Sequence, residues 1–313
     1  MLNSRPIYGQ SRGADHERHG TALILQRVAR AAIPRPIRNW LRRPGQSLAW
    51  ATDDLAHRVG RDRAVEIRPG WTVRCHPAAW RLAYRAQVED PDQVAELNGF
   101  IRACVPGMAL LDVGAHFGVF SLAALHFGGD AARAAAVDPA PSAVRMLQLQ
   151  ARLNGAGERL LVVAAAIGAR DGSLELVDAG VGSARYYVQP ERQHSARERT
   201  TVPGITVDSL CAREHLRPTH VKIDVEGFEA DVLRGATRTL RAEPRPLWFI
   251  ELHNGIVRRS GADPAATFEI LHAAGYELLA ADGRSLMPDE LLARSLIRVI
   301  ARPRLNPAGA GRP

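Results

Sequence analysis

The chain holds one lysine. Among its 41 Lys plus Arg residues every other is an arginine, and the exception is Lys222. An Arg- and Ala-rich, Lys-poor composition reflects genome bias before it reflects function. Cysteine is scarce as well: Cys75, Cys104 and Cys211 are odd in number and show no CxxC spacing. That argues against a disulfide framework and a structural zinc site, and points to a reducing cytoplasm. No apolar run approaches the roughly 18 residues of a membrane span. The first residues lack the apolar core of a signal peptide. Aromatic residues make up only 5%, so base stacking has few candidates. Nucleic acid is therefore not the expected partner, although the net charge is +8.

What is present suits a globular protein. At 313 residues, 46% hydrophobic and 24% charged, the chain can bury a large core. Its charge is uneven. Residues 1–43 are studded with arginines from Arg5 to Arg43, opposed only by Asp15 and Glu17. Three parts are expected: a basic N-terminal extension over 1–62, partly disordered or helical; a domain over 63–302; and a disordered tail over 303–313. Residues 21–44 read as a short amphipathic helix broken by Pro34 and Pro36, with Leu23, Ile24, Val28 and Ala32 on one face. That face either packs on the domain or, through residues 21–43, touches an acidic membrane surface.

"RAVEIRPGWTVRCHP" (63–77) alternates around a Pro-Gly turn and reads as a hairpin. Residues 90–105 read as a helix with Asp90 at its N-cap. From 108 a strand–helix rhythm begins. "ALLDVG", "AAAVDP", "LLVVAAAIG", "HVKIDVEG" and "PLWFIELH" read as strands. Helices fall between and after them. "GSLELV" and "ARYYVQ" read as an inserted hairpin, and "YELLAA" and "SLIRVIAR" as a closing antiparallel pair. Alternating βα units with near-continuous apolar strands argue for a parallel sheet covered on both faces.

"LLDVGAHFGVF" (110–120) sets Asp112, Gly114 and Gly118 at the end of the first parallel strand. Glycines there let backbone approach a ligand, and Ala115 and His116 complete the turn. It is not the dinucleotide fingerprint, because the GxGxxG order is missing and an acid precedes the first glycine. Asp138 ends the next strand, where a carboxylate can accept both hydroxyls of a ribose. The pattern fits S-adenosylmethionine, whose ammonium suits a carboxylate such as Asp112 and which has no pyrophosphate to cradle. Ala165 and Ala166 either flank the adenine or are plain core.

Asp224 and Glu226 end the fourth strand, and Glu251 and His253 the fifth. Ligands of open α/β sheets sit outside such strand ends. Singly, each has a bland alternative: Asp224 as a helix N-cap, Glu226 or Glu229 paired with an arginine, His253 as a satisfied loop residue. Together they make a candidate catalytic set. Glu226 is the first choice for the base that takes a hydroxyl proton and His253 the second, with Asp224 and Glu251 orienting. The same residues could instead ligate a divalent cation, which is not expected. Lys222 shares a face with Asp224 and either tethers a carboxylate, contacts substrate or snorkels outward.

At these residues the sequence resembles the FkbM family of S-adenosylmethionine-dependent methyltransferases. The matching pieces are "LLDVGAHFGVFSLAAL", "AVDPAPSAVRMLQLQARLNG", "VVAAAIGARDGSLEL", "GITVDSL", "HVKIDVEGFEADVLRGA" and "LWFIELH", in the family's order over roughly residues 85–255. "VGSARY" (181–186) is a weaker match to a serine-bearing turn. Asp138 stands where many members have Glu, and His116 where Asn is common. The resemblance implies a class I, Rossmann-like fold: a doubly wound seven-stranded sheet with an antiparallel last strand. It also implies transfer of a methyl group to a hydroxyl of a sugar, glycan or secondary metabolite. The rival is a non-catalytic module of the same fold that binds membrane or a partner through its basic N-terminus.

Overall fold

Apolar runs of Val, Ile, Leu and Ala closed by Gly or Asp favour strands. The computed structural model describes residues 44–177, 187–188 and 199–304. The expected helix at 21–44, the turn at 181–186 and the tail beyond 304 lie outside the described residues. By contact the chain divides into Met1–Ala51 and Thr52–Pro313. Helix α1 spans Pro44–Arg58.

In the second unit β1 (Arg63–Arg68) and β2 (Trp71–Cys75) form the expected antiparallel hairpin. A broken helical stretch follows: Pro77–Ala79, a π-turn over Trp80–Tyr84, and Ala86–Glu89. Helix α2, Pro91–Ala103, begins where Asp90 accepts hydrogen bonds from the Asp92 and Gln93 amides, as the N-cap pattern requires.

The chain then runs β3 (Ala109–Val113), α3 (Val119–Phe127), β4 (Arg133–Val137), α4 (Pro141–Leu153) and β5 (Leu160–Val163). Four short strands come next: β6 (Ala166–Ile167), β7 (Gly172–Val177), β8 (Tyr187–Val188) and β9 (Arg199–Ile205). They lead through α5 (Val207–Arg213) to β10 (His220–Ile223), α6 (Glu229–Arg234) and β11 (Leu247–Leu252). The chain ends with α7 (Asn254–Ser260), α8 (Ala265–Ala273), β12 (Tyr276–Leu279), α9 (Pro288–Ala293) and β13 (Ile297–Pro303).

Seven strands form one sheet in the order β12-β13-β11-β10-β3-β4-β5. β13 alone runs antiparallel to its neighbours β11 and β12, and the other pairings are parallel. This is the doubly wound arrangement with the antiparallel last strand. The order reverses between β3 and β10, the point where an open α/β sheet leaves a crevice for ligand. Leu111, Val113, Val221, Ile223, Trp248 and Ile250 are buried in the core across these central strands.

Two sequence readings need correction. "LLVVAAAIG" is not one strand: β5 stops at Val163, and Ala166–Ile167 joins a second sheet of order β6-β9-β7-β8. The expected hairpin is there, with Leu176 opposite Val188, but the larger partner of β7 is β9. Residues 199–205 carry Thr, Pro and Gly and show no apolar run.

The crevice depends on one close approach. Gly114 has φ of 78°, and a Cβ there would lie 1.9 Å from the Asp224 carbonyl oxygen. The Asp224 amide in turn donates to the Val113 carbonyl at 2.9 Å. Gly114→Ala is expected to cost about 3 kcal/mol of stability, combining left-handed strain with a backbone clash. Urea denaturation of wild type and variant measures this; an unchanged midpoint would refute it.

Candidate active site

The glycine turn is built by hydrogen bonds to the neighbouring strand. The Gly114 and Ala115 amides donate to the Val137 carbonyl at 2.9 and 3.1 Å. Gly118, at φ of 80°, occupies the N-cap of α3 and has no side chain to cap it. Asp112 takes over that task. Its Oδ2 accepts from the Ser121 amide at 3.1 Å and from the Ser121 hydroxyl at 2.6 Å. Burial pushes the Asp112 carboxyl up to about 6 against the pull of Ser121. Asp138 is tied in the same way. Its Oδ1 accepts from the Ala140 amide at 2.8 Å and its Oδ2 from the His116 amide at 3.0 Å. Burial pushes it up to about 7, opposed by those two bonds. His116 stacks on Phe117 with centroids 3.8 Å apart, and burial pulls its imidazole down to about 4.

Asp224 and Glu226 lie in the turn after β10, not on the strand. Glu226 holds φ of 53°, a left-handed conformation that is uncommon for a residue with a side chain. Gly227, at φ of 102°, follows it. Asp224 does not cap α6, whose N-cap is Phe228. Glu229 reaches back instead. Its Oε1 accepts from the Gly227 amide at 2.9 Å and lies 2.7 Å from His253 Nδ1. His253 Nε2 faces Asp224, Glu226 and Glu251 at 3.8, 3.8 and 3.9 Å. Burial pulls the imidazole down, but the Glu229 hydrogen bond and the surrounding carboxylates outweigh it and push it up to about 9. That direction favours the protonated imidazole, which donates from both ring nitrogens.

Beneath this cluster lies a buried ion network that the sequence gives no means of pairing. Lys222 Nζ meets Glu96 Oε1 at 3.0 Å. Arg298 bonds Glu96 Oε2 at 2.8 Å and Glu251 Oε1 at 2.9 Å. The Lys222 ammonium also lies 5.0 Å from the Phe120 ring centroid. Of the three readings open for Lys222, the carboxylate tether holds. Burial and the Asp224 charge push Glu251 upward, while Lys222 and Arg298 pull it back.

A cavity of about 230 Å³ joins these parts. Asp112, Gly114, Ala115 and His116 line it together with Asp224, Glu226, Glu251 and His253. Gly118, Asp138, Ala165 and Ala166 do not. Ala165 borders a separate groove beside β5 and β9, and Ala166 opens β6. The cavity also takes Leu82, Ala83, Ala86, Gln87, Gln93 and Glu96 from the segment before the sheet. Tyr84, fully buried in that segment, donates from its hydroxyl to the Phe117 carbonyl at 3.0 Å. Among the described residues no group of His, Cys, Asp and Glu is arranged to hold a metal ion, and no helix is long and apolar enough to cross a membrane.

The sheet order and the acid-glycine turn at its switch point define a class I methyltransferase. Residues 112–278 match the methyltransferase FkbM domain, more than half of the chain, and the chain belongs to that family. Its cofactor is S-adenosylmethionine. No curated protein matches the chain. Solved structures resemble it distantly. A methyltransferase FkbM from Methylobacillus flagellatus KT is 18% identical with a TM-score of 0.40, over 72% of this chain and 56% of that one. An O-methyltransferase from Bacillus cereus is 12% identical with a TM-score of 0.38, over 72% and 86%. A precorrin-6y C5,15-methyltransferase from Geobacter metallireducens GS-15 is 12% identical with a TM-score of 0.38, over 67% and 87%.

The fit to the cofactor rests on the turn: Asp112, Gly114, Ala115 and His116 line the cavity, and Gly114 lets the turn pack against the Asp224 carbonyl where a Cβ would lie. Asp138 stands buried just after β4, its oxygens on the Ala140 and His116 amides.

His253 gives this site its test. An imidazole raised from 6.5 to about 9 adds stability that is complete below about pH 6.5 and lost as pH rises through 9. NMR titration of the His253 ring should show a midpoint near 9. Glu229→Gln should bring it down by at least one unit, since burial then opposes the charge with less resistance. A wild-type midpoint near 6.5 would contradict the arrangement.

Proposed function

We propose that this methyltransferase acts on a hydroxyl of a sugar, glycan or secondary metabolite. The observation that carries the reading is the accessibility of two carboxylates. The Asp224 and Glu226 side chains are 39% and 18% exposed, whereas Glu251 and Glu229 are 7% and 2% exposed and already bonded. Carboxylates that solvent reaches therefore sit beside buried ones.

An alcohol is a weak nucleophile at neutral pH, and a positioned proton acceptor helps it most as the new bond forms. Asp112, the glycine turn and Asp138 would hold S-adenosylmethionine, which supplies a methyl carbon on a positive sulfur that departs as a neutral thioether. Glu226 would accept the proton of the acceptor hydroxyl. Asp224 accepts a second hydroxyl of the acceptor and aligns it. His253, fixed by Glu229, faces the two carboxylates across gaps of 3.8 Å and helps to position them.

The test pairs binding with turnover. Calorimetric titration of S-adenosylhomocysteine should give micromolar affinity in wild type, lost in Asp138→Ala. Affinity should rise with pH through about 7, as the Asp138 carboxyl ionises and gains acceptor capacity for the ribose. Glu226→Gln should bind the product equally well. It should turn over hydroxyl acceptors at least about 100-fold more slowly, the usual scale of a lost general base. Methyl transfer confined to amines or thiols across an acceptor panel would sink the hydroxyl reading.

A further inference from the structure

The cavity that takes the acid-glycine turn is also lined by a buried lysine, Lys222. In the parallel register of β10 and β3 it stands beside Asp112. Burial pulls its ammonium down, but Glu96 first, then Asp224 and Glu251, outweigh that and push it up. The direction favours the charged form. A fixed positive charge opposes a cofactor that is itself cationic, and S-adenosylmethionine carries a positive sulfur. Glu96 meets that difficulty. Its Oε1 lies 3.0 Å from Lys222 Nζ, and its Oε2 accepts from Arg298 Nε at 2.8 Å. Arg298 bonds Glu251 in turn at 2.9 Å. Two cations and two carboxylates thus balance within one network. Glu96 comes from α2, before the family-matched span of 112–278. The other acids along the cavity wall are Asp112, Asp224 and Glu226.

We infer that Glu96 sets the charge of this cavity toward the cofactor: by neutralising Lys222 it lets the site prefer the sulfonium of S-adenosylmethionine to the neutral thioether of S-adenosylhomocysteine. The inference rests on the cofactor lying against the Asp112 turn, as proposed above. It needs no contact between Glu96 and the ligand, because charges act through space, and most strongly where water is scarce. Glu96 works through Lys222 and is a positioning residue, not one that touches the cofactor. With the Glu96 charge removed, the network of Lys222, Arg298 and Glu251 gains one positive charge. With Lys222 removed instead, Glu96 keeps Arg298 as its partner and the network gains one negative charge. The two losses therefore push the preference in opposite directions. A glutamate that served only to pair Lys222 inside the fold would give both variants the same effect, a loss of stability.

The test titrates the full chain calorimetrically with S-adenosylmethionine and, separately, with S-adenosylhomocysteine, and reads the ratio of the two affinities. Glu96→Gln should lower the preference for S-adenosylmethionine about tenfold, the scale of one unit charge acting across a partly buried site. Lys222→Met should raise that preference by a similar factor. The double variant Glu96→Gln/Lys222→Met removes the buried pair together, which folds tolerate. It should return the ratio to within about twofold of wild type, because the two charge changes cancel. Lys222→Met keeps the bond between Glu96 and Arg298, so it decides the matter alone if Glu96→Gln does not fold. A ratio that stays at the wild-type value in a folded single variant, or that moves the same way in both, overturns the inference. Failure of the proposed cofactor placement looks different: Asp138→Ala then binds both ligands as wild type does, whatever Glu96 does to the ratio.

Discussion

A lysine at 1% exposure inside a central strand must find a counter-charge, and the rest of the site is arranged around that demand. Lys222 on β10 is met by Glu96 from α2, Glu96 by Arg298 from β13, and Arg298 by Glu251 from β11. Removing one partner of such a buried pair leaves an uncompensated charge at a cost of about 3–5 kcal/mol. The carboxylate of Glu251 is thus fixed by residues that begin before and end after the family-matched span of 112–278. The solitary lysine also has a physical reason. Its ammonium is a compact charge that fits between a carboxylate, the Ile223 carbonyl at 3.4 Å and the face of Phe120. The planar fork of an arginine would need more room and more acceptors.

Above this floor, Asp112 and Asp138 are structural. Asp112 caps α3 through Ser121, and Asp138 fastens the His116 and Ala140 amides. These bonds set the carboxylates in place before any cofactor arrives, so little ordering remains to be done on binding. Gly114 completes the arrangement by letting the turn touch the Asp224 carbonyl. The cofactor side and the catalytic side are joined by that contact, so strain at one is felt at the other.

Much of this was legible from residues 108 onward. The apolar runs at 109–113, 133–137, 220–223 and 247–252 became the central strands, because continuous hydrophobicity bounded by glycine has few other solutions in a parallel sheet. Asp112, Asp224, Glu226, Glu251 and His253, read from strand ends, come together around one cavity. What escaped was long-range or locally atypical. Glu96 and Arg298 lie 202 residues apart, and neither stands in a motif that announces a partner. Residues 199–205 pair as a strand although Pro203 and Gly204 argue against one; the pairing partner β7 decides the matter. His253 looks like a base by residue type, and its contact with Glu229 and the carboxylates around it, which push its imidazole upward, show only in the structure.

The charge pattern suggests why the site releases its product. Asp112, Asp224, Glu226, Glu229, Glu251 and Glu96 gather around Lys222, Arg298 and His253, so carboxylates outnumber cations. A cavity of that sign favours a positive sulfonium over the neutral thioether left after transfer. Under the reading proposed above, a proton passed to Glu226 would remove one negative charge from the cluster as the cofactor's positive charge is lost, so the two changes would offset each other. Glu226, at 18% exposure, stands nearer to solvent than Glu251 at 7%, which is already held by Arg298.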